Sequence, residues 1–132
     1  MPIFKLTESL SVAAQITPQD ILNLAEQGFT AVVCNRPDGE VPGQATMDEI
    51  EAACHAADLL FVRYPVDAMN FPGPDIEGLG ALFDDPGQTV LAYCRTGTRC
   101  ANLWVTSQTG EGQAEAVQLA REIGFDLSLV RA

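Results

Sequence analysis

The stretch that most restricts the fold runs from Thr89 to Val105. A charge-free, β-branched and aromatic run, Thr89 to Tyr93, leads into Cys94-Arg95-Thr96-Gly97-Thr98-Arg99-Cys100 and then into the helix-forming, apolar Ala101 to Val105. An uncharged run of that kind suits a strand covered on both faces, which requires a mostly parallel sheet between layers of helix. Cys94 therefore falls at a strand's carboxyl end, where open α/β sheets bind ligands. The helix that follows directs its free N–H groups and partial positive charge into the same loop. This arrangement predicts an anion site.

Cysteine acts as a nucleophile only as thiolate, and an ordinary thiol is mostly protonated at neutral pH. A helix N-terminus together with Arg95 and Arg99 is expected to lower the pKa of Cys94. Gly97 permits the dihedrals that turn successive amides inward, and the Thr96 and Thr98 hydroxyls are expected to donate to Cys94 or to a bound group. The competing interpretation makes Cys94 a small core residue and the two arginines solvated surface charges. The joint occurrence of thiol, glycine, arginines and strand-to-helix context argues for the functional reading.

Composition narrows the partners. The formal charge is −11, from 18 acidic and 7 basic residues, which makes binding to a nucleic-acid backbone electrostatically unfavourable. Against that background Arg95 and Arg99 make a local positive spot that suits a small anionic substrate. A chain of 132 residues fits one domain with a real core. It holds no apolar run of membrane-spanning length, so no membrane partner is expected. The start, Met-Pro-Ile-Phe-Lys-Leu-Thr-Glu, lacks the pattern of a secretory signal, so the expectation is a cytoplasmic protein. Cysteines 34, 54, 94 and 100 have no C-x-x-C spacing and His55 is the single histidine. No metal set and no cofactor is expected, and the thiols read as reduced.

Along the chain, residues 3 to 6 and 10 to 14 read as a small hairpin or two edge strands. Thr17 and Pro18 predict an N-cap and first position for a helix stopped by Gly28. Phe29 to Cys34 reads as a buried strand ending in the turn-rich Asn35-Arg36-Pro37-Asp38-Gly39-Glu40. Thr46 and Glu49 form a capping-box pattern for a helix through about Ala57, with Cys54 in the core and His55 at the surface. A third strand, Leu59 to Tyr64, precedes a loop from Pro65 to Asp75. Ile76 to Phe83 is expected as a short helix although Gly78 and Gly80 each cost up to ~1 kcal/mol of propensity. After a helix beginning near Arg99, Thr109-Gly110-Glu111-Gly112 reads as a break before a last helix, Gln113 to Ile123, and a packed tail, Phe125 to Val130. This alternation implies an α/β fold, a mostly parallel central sheet flanked by helices on both faces.

The segments Leu10 to Pro18, Gly28 to Glu40 and Tyr93 to Arg99, taken with that order of elements, resemble the dual-specificity branch of the protein tyrosine phosphatase fold. More specifically the chain is similar to the phosphatase-like domain of the beta-lactamase-hydrolase-like family, whose members are also labelled sulfurtransferases. The resemblance implies one domain of protein tyrosine phosphatase type over residues 1–132. It also implies a link to sulfide metabolism, because related domains occur fused to metallo-beta-lactamase-like partners. The loop departs from the phosphatase pattern. Phosphatases of this class place five residues between cysteine and arginine, whereas four separate Cys94 from Arg99, and Tyr93 stands where a histidine is usual. Tyr-Cys-Arg-Thr-Gly-Thr-Arg looks instead like the loop of single-domain rhodaneses.

A phosphoryl group in transfer needs three equatorial oxygens held by amides and a bidentate arginine, and a shorter loop makes a tighter cradle that suits a single persulfide sulfur. The expectation is therefore a sulfurtransferase that carries a sulfane sulfur as persulfide on Cys94, with Arg99 catalytic and Arg95, Thr96, Gly97 and Thr98 binding the substrate. A thiol or protein acceptor would take the sulfur. The alternative is a phosphatase working through a cysteinyl-phosphate, for which the resemblance points to Asp67 as general acid and Asp75 as second candidate. The third reading is a redox-sensing or anion-binding module. Arg36, Asp38 and Glu40 read as pocket-lining residues or as a turn closed by a salt bridge, and Cys100 or Cys34 as a resolving thiol or a packed one.

Overall fold

The computed structural model describes residues 2–130. Five strands, β1 (Ile3–Lys5), β2 (Leu10–Ala13), β3 (Ala31–Cys34), β4 (Leu60–Arg63) and β5 (Val90–Tyr93), and five helices, α1 (Pro18–Glu26), α2 (Met47–Ala56), α3 (Ile76–Phe83), α4 (Thr98–Ser107) and α5 (Gly110–Ile123), follow the expected alternation. The strands form one sheet in the order β1-β2-β5-β3-β4. β1 runs antiparallel to β2, and the other three pairings are parallel. The first two strands do make a hairpin, but β2 is interior, since it also pairs with β5.

Side chains alternate across the sheet with the period of two that strands impose. Leu91 and Tyr93 of β5 pack with Ile21 and Leu24 of α1 and Met47, Ile50 and Cys54 of α2. Val90, Ala92 and Cys94 pack on the other side, with Leu79 and Phe83 of α3, Cys100, Leu103 and Trp104 of α4, and Ala116 and Ala120 of α5. Both faces of the central strands are therefore covered, which is why they lack charge.

The caps follow the sequence closely. The Asp20 carboxylate accepts the Thr17 N–H at 2.8 Å ahead of Pro18, and Thr46 with Glu49 closes a capping box on α2. Asp38 Oδ1 also accepts the Met47 N–H at 2.9 Å, so the turn after β3 holds the start of α2. Gly80 sits where α3 presses on α4, and a Cβ there would lie 2.7 Å from the Ser107 Cβ. Close helix approach therefore offsets the propensity it lacks. One expectation is corrected. α5 begins at Gly110 and not at Gln113: Thr109 stands at its N-cap position, and Gly110, at φ +56°, turns the chain into the helix, so only Glu111 and Gly112 of the expected break lie within its first turn.

Parallel register brings the functional loops together. Ala13, Tyr93, Cys34 and Arg63 are cross-strand partners at the carboxyl edge. The segments that leave them, at Gln15, Cys94, Asn35 to Glu40, and Tyr64 to Val66, emerge side by side. Cross-links fix them: Cys94 N–H donates to Ala13 O at 3.3 Å, Asn35 N–H to Tyr93 O at 2.8 Å, and Val66 N–H to Asn35 O at 3.2 Å. The tail is tied in as well. Asn102 of α4 is fully buried, donates to Asp126 O at 2.7 Å and accepts the Leu129 N–H at 3.0 Å. Among the described residues no helix is long and apolar enough to cross a membrane.

Candidate active site

The loop after β5 closes as a cup around the Cys94 sulfur. Gly97, at φ +90°, turns its N–H onto Sγ at 3.1 Å and caps α4. The backbone N–H groups of Thr96, Arg99 and Cys100 also face the sulfur. Those of Arg99 and Cys100 belong to the first turn of α4, where helical N–H groups lack intrahelical partners. A side chain at position 97 would meet a left-handed φ that L residues avoid, with its Cβ 3.4 Å from the Phe125 ring and 3.6 Å from the Ala13 backbone.

These donors draw the Cys94 thiol down to about 6; the Cys100 thiol contributes most, opposed by burial and reinforced by the amides of Cys100, Thr96 and Arg99. The contrast with Cys54 separates this sulfur from a packed one. Both residues are 0% exposed, yet Cys54 is pushed up to about 11 by burial, whereas the donors around Cys94 outweigh the same penalty. Cys100 is held well above the usual thiol range, first by burial and then by the facing Cys94, so it stays protonated and donates.

Several sequence-based expectations change here. The Thr96 and Thr98 hydroxyls bond to each other at 3.0 Å, so Thr96 serves the sulfur through its backbone and not its side chain. Arg95 is exposed beside the cup, and the lowered Cys94 pKa traces to the Cys100 thiol and to amides. Asp75 is the N-cap of α3, accepting the Gly78 N–H at 3.0 Å, and takes no part in the cup. Cys34 lies in the layer against α1 and α2 and bonds to the Arg36 carbonyl at 3.1 Å. The Cys94–Cys100 pair belongs to the other layer.

Arg99 is held by its end. Nη1 donates to Glu40 Oε2 at 2.9 Å and to Val66 O at 2.9 Å, and Nη2 donates to Glu40 Oε1 at 2.7 Å. Among the described residues, Nε makes no hydrogen bond. The Glu40 carboxyl is drawn down to about 2, first by Arg99 and also by Arg36, whose Nε reaches the same Oε1 at 2.8 Å. Asp67, one residue beyond the Val66 anchor, is exposed; its Oδ1 accepts the N–H groups of Met69 at 2.9 Å and Asn70 at 3.1 Å. Oδ2 has no hydrogen-bond partner among the described residues. Gln15 and the Val66 carbonyl were not found by sequence reasoning. Only the i, i+4 spacing of Arg36 and Glu40 hinted at the ion-pair cluster.

A thiolate in a ring of amides beside an arginine held at one end and unbonded along one edge has the parts for nucleophilic attack on an anionic substrate. A family model described as "Beta-lactamase hydrolase-like protein, phosphatase-like domain" matches residues 3–111. The chain belongs to that family. Beta-lactamase hydrolase-like proteins of Xylella fastidiosa (strain Temecula1 / ATCC 700964) and Agrobacterium fabrum (strain C58 / ATCC 33970) are 30% and 29% identical to it over 130 residues, or 96% of the chain. The chain spans 30% of the length of each of these relatives. Among solved structures, a protein of Neisseria meningitidis named as a candidate phosphatase is similar at TM-score 0.77 and 33% identity, covering 97% of this chain and 92% of that one. PTPMT1 in complex with PI(5)P shares the fold at TM-score 0.71 and 17% identity, covering 98% and 86%. The phosphatase-like family is thus on an α/β frame of protein tyrosine phosphatase type.

Proposed function

We propose that this chain is a cysteine-dependent phosphomonoesterase. The observation that carries the reading is the manner in which Arg99 is held: Glu40 and the Val66 carbonyl occupy its Nη end and leave its Nε edge unbonded, next to a thiolate with a pKa of about 6. A guanidinium fixed that way offers Nε and Nη2 as a two-pronged clamp for an oxyanion. The Val66 contact also draws the loop bearing Asp67 to the same arginine.

The chemistry follows from those positions. The Cys94 thiolate attacks phosphorus, a sulfur–phosphorus bond forms, and the bond from phosphorus to the ester oxygen breaks. Asp67 serves as general acid and gives a proton to the departing alkoxide. Inward-facing amides and Arg99 neutralise the charge on the equatorial oxygens. Water then attacks the cysteinyl-phosphate while the Asp67 carboxylate takes its proton, which releases inorganic phosphate and restores the thiolate. Membership in a phosphatase-like family supports this reading over the sulfur transfer expected from loop length.

One observation favours sulfur transfer as a second reading: four residues, not five, lie between Cys94 and Arg99, so the ring of amides is small. A single experiment separates the two. Hydrolysis of p-nitrophenyl phosphate and transfer of sulfur from thiosulfate to cyanide are assayed on one preparation, with Cys94→Ser as control. Ester hydrolysis that is lost in Cys94→Ser, without Cys94-dependent sulfur transfer, is the expected result. Cys94-dependent sulfur transfer without ester hydrolysis would overturn it, and absence of both activities would leave the anion-binding module.

A further inference from the structure

Arg36 is 3% exposed, a depth at which a guanidinium is seldom found without a partner, and the reaction described above gives it no contact with substrate. Its Nε donates to Glu40 Oε1 at 2.8 Å and its Nη1 to Gln15 Oε1 at 3.0 Å. Gln15 is fixed in turn, since its Nε2 donates to the Ile16 carbonyl at 2.8 Å. The Glu40 oxygen that Arg36 holds also accepts Arg99 Nη2 at 2.7 Å. One carboxylate therefore lies between two guanidiniums, one sunk in the protein and one at the cup.

The turn that carries Glu40 is closed on itself. Gln44 Oε1 accepts the Glu40 N–H at 3.1 Å, and Gln44 Nε2 donates to the Pro37 carbonyl at 2.9 Å. That fixes the backbone of Glu40 but leaves its side-chain torsions to be set by what the carboxylate touches. Arg99 contributes two bonds to that carboxylate, but the two long side chains must then be immobilised together, at an entropy cost that falls on both. A buried guanidinium on the same oxygen removes one of those freedoms. We infer that Arg36 is a positioning residue: acting through Glu40, it sets the orientation in which Arg99 presents its Nε edge to an oxyanion. The inference rests on the reading of Arg99 as the anion clamp.

If the influence of Arg36 passes through Glu40, it must vanish once Glu40 cannot transmit it. The test is a cycle of four full-length proteins, unaltered, Arg36→Gln, Glu40→Gln and the double variant. Each is titrated with sodium tungstate by calorimetry and assayed for kcat/KM on p-nitrophenyl phosphate. With Glu40 present, Arg36→Gln is expected to weaken tungstate binding about tenfold; with Gln at position 40 the same change should cost less than about twofold. A role confined to holding the fold together would lower the unfolding temperature without that dependence on position 40. Equal losses in both backgrounds, or no loss in either, would overturn the inference. Arg36→Lys, which keeps the charge but cannot span Gln15 and Glu40 together, carries the cycle if the glutamine variant folds poorly. Tungstate binding without ester hydrolysis in the unaltered chain would sink the phosphomonoesterase reading and leave the cycle decisive for Arg36. Failure of the unaltered chain to do either would overturn both.

Discussion

Glu40 grips the end of the Arg99 guanidinium through two bonds, of 2.9 and 2.7 Å, although the two residues stand 59 positions apart. Glu40→Gln should therefore lower kcat/KM on an aryl phosphate by roughly 10- to 100-fold, because a misaligned arginine forfeits charge stabilisation at the transition state. The carboxyl is drawn from its ordinary 4.5 to about 2. A depressed folded-state value means that the stabilisation is fully present above the unfolded pKa and is lost as pH falls through the folded one. The difference in thermal midpoint between unaltered protein and Glu40→Gln should hold steady from about pH 7 to about pH 5 and shrink toward about pH 2. A difference unchanged at the acid end would contradict the assignment.

Alkylation of Cys94 by iodoacetamide should rise with pH, reach half its plateau near 6 and level off well below the range of a free thiol. Since the Cys100 thiol is the largest cause of the depression, Cys100→Ala should move the half-point upward, while Cys100→Ser, which keeps a donor, should restore most of it. Mass spectrometry of the alkylated peptide provides the readout.

Asp67→Asn should slow hydrolysis of an alkyl phosphate by roughly 100-fold and affect p-nitrophenyl phosphate much less, because a good leaving group needs little protonation. Equal slowing of both esters would assign Asp67 to loop structure alone, through its bonds to Met69 and Asn70.

Gly97→Ala should destabilise the fold by about 1–3 kcal/mol, the usual cost of forcing a side chain into such a backbone conformation. It should also weaken thiolate stabilisation, because the Gly97 N–H that reaches Sγ at 3.1 Å would be displaced. Urea unfolding and the alkylation profile measure the two effects separately.

Local chemistry made the frame legible. Charge-free runs marked strands buried on both faces, and Thr17-Pro18 and Thr46-x-x-Glu49 marked helix starts, because caps and periodicity act over a few residues. The amide cup was foreseeable for the same reason, since Cys94 and its donors lie within seven positions. What sequence could not supply depended on strand order. Placing β5 between β2 and β3 is what brings Gln15, Glu40, Val66 and Arg99 to one place, and no short-range pattern encodes that adjacency. The Thr96 hydroxyl donates to the Thr98 hydroxyl and not to the Cys94 sulfur, a partner that the turn of the loop supplies and that residue type alone does not reveal. The glycines at the start of α5 read as a break because propensity weighs against them; Gly110 does depart from helical geometry, at φ +56°, while the helix already runs through Gly112.

The Asn102 side chain, anchored to Asp126 and Leu129, makes the last residues of the fold a brace for the helix that begins at the cup. A recombinant fragment ending at Gly124 would retain each reactive group yet forfeit the Phe125 ring behind Gly97 and the carbonyl that Asn102 seeks. Where an engineer trims this chain is thus a choice about the surroundings of Cys94.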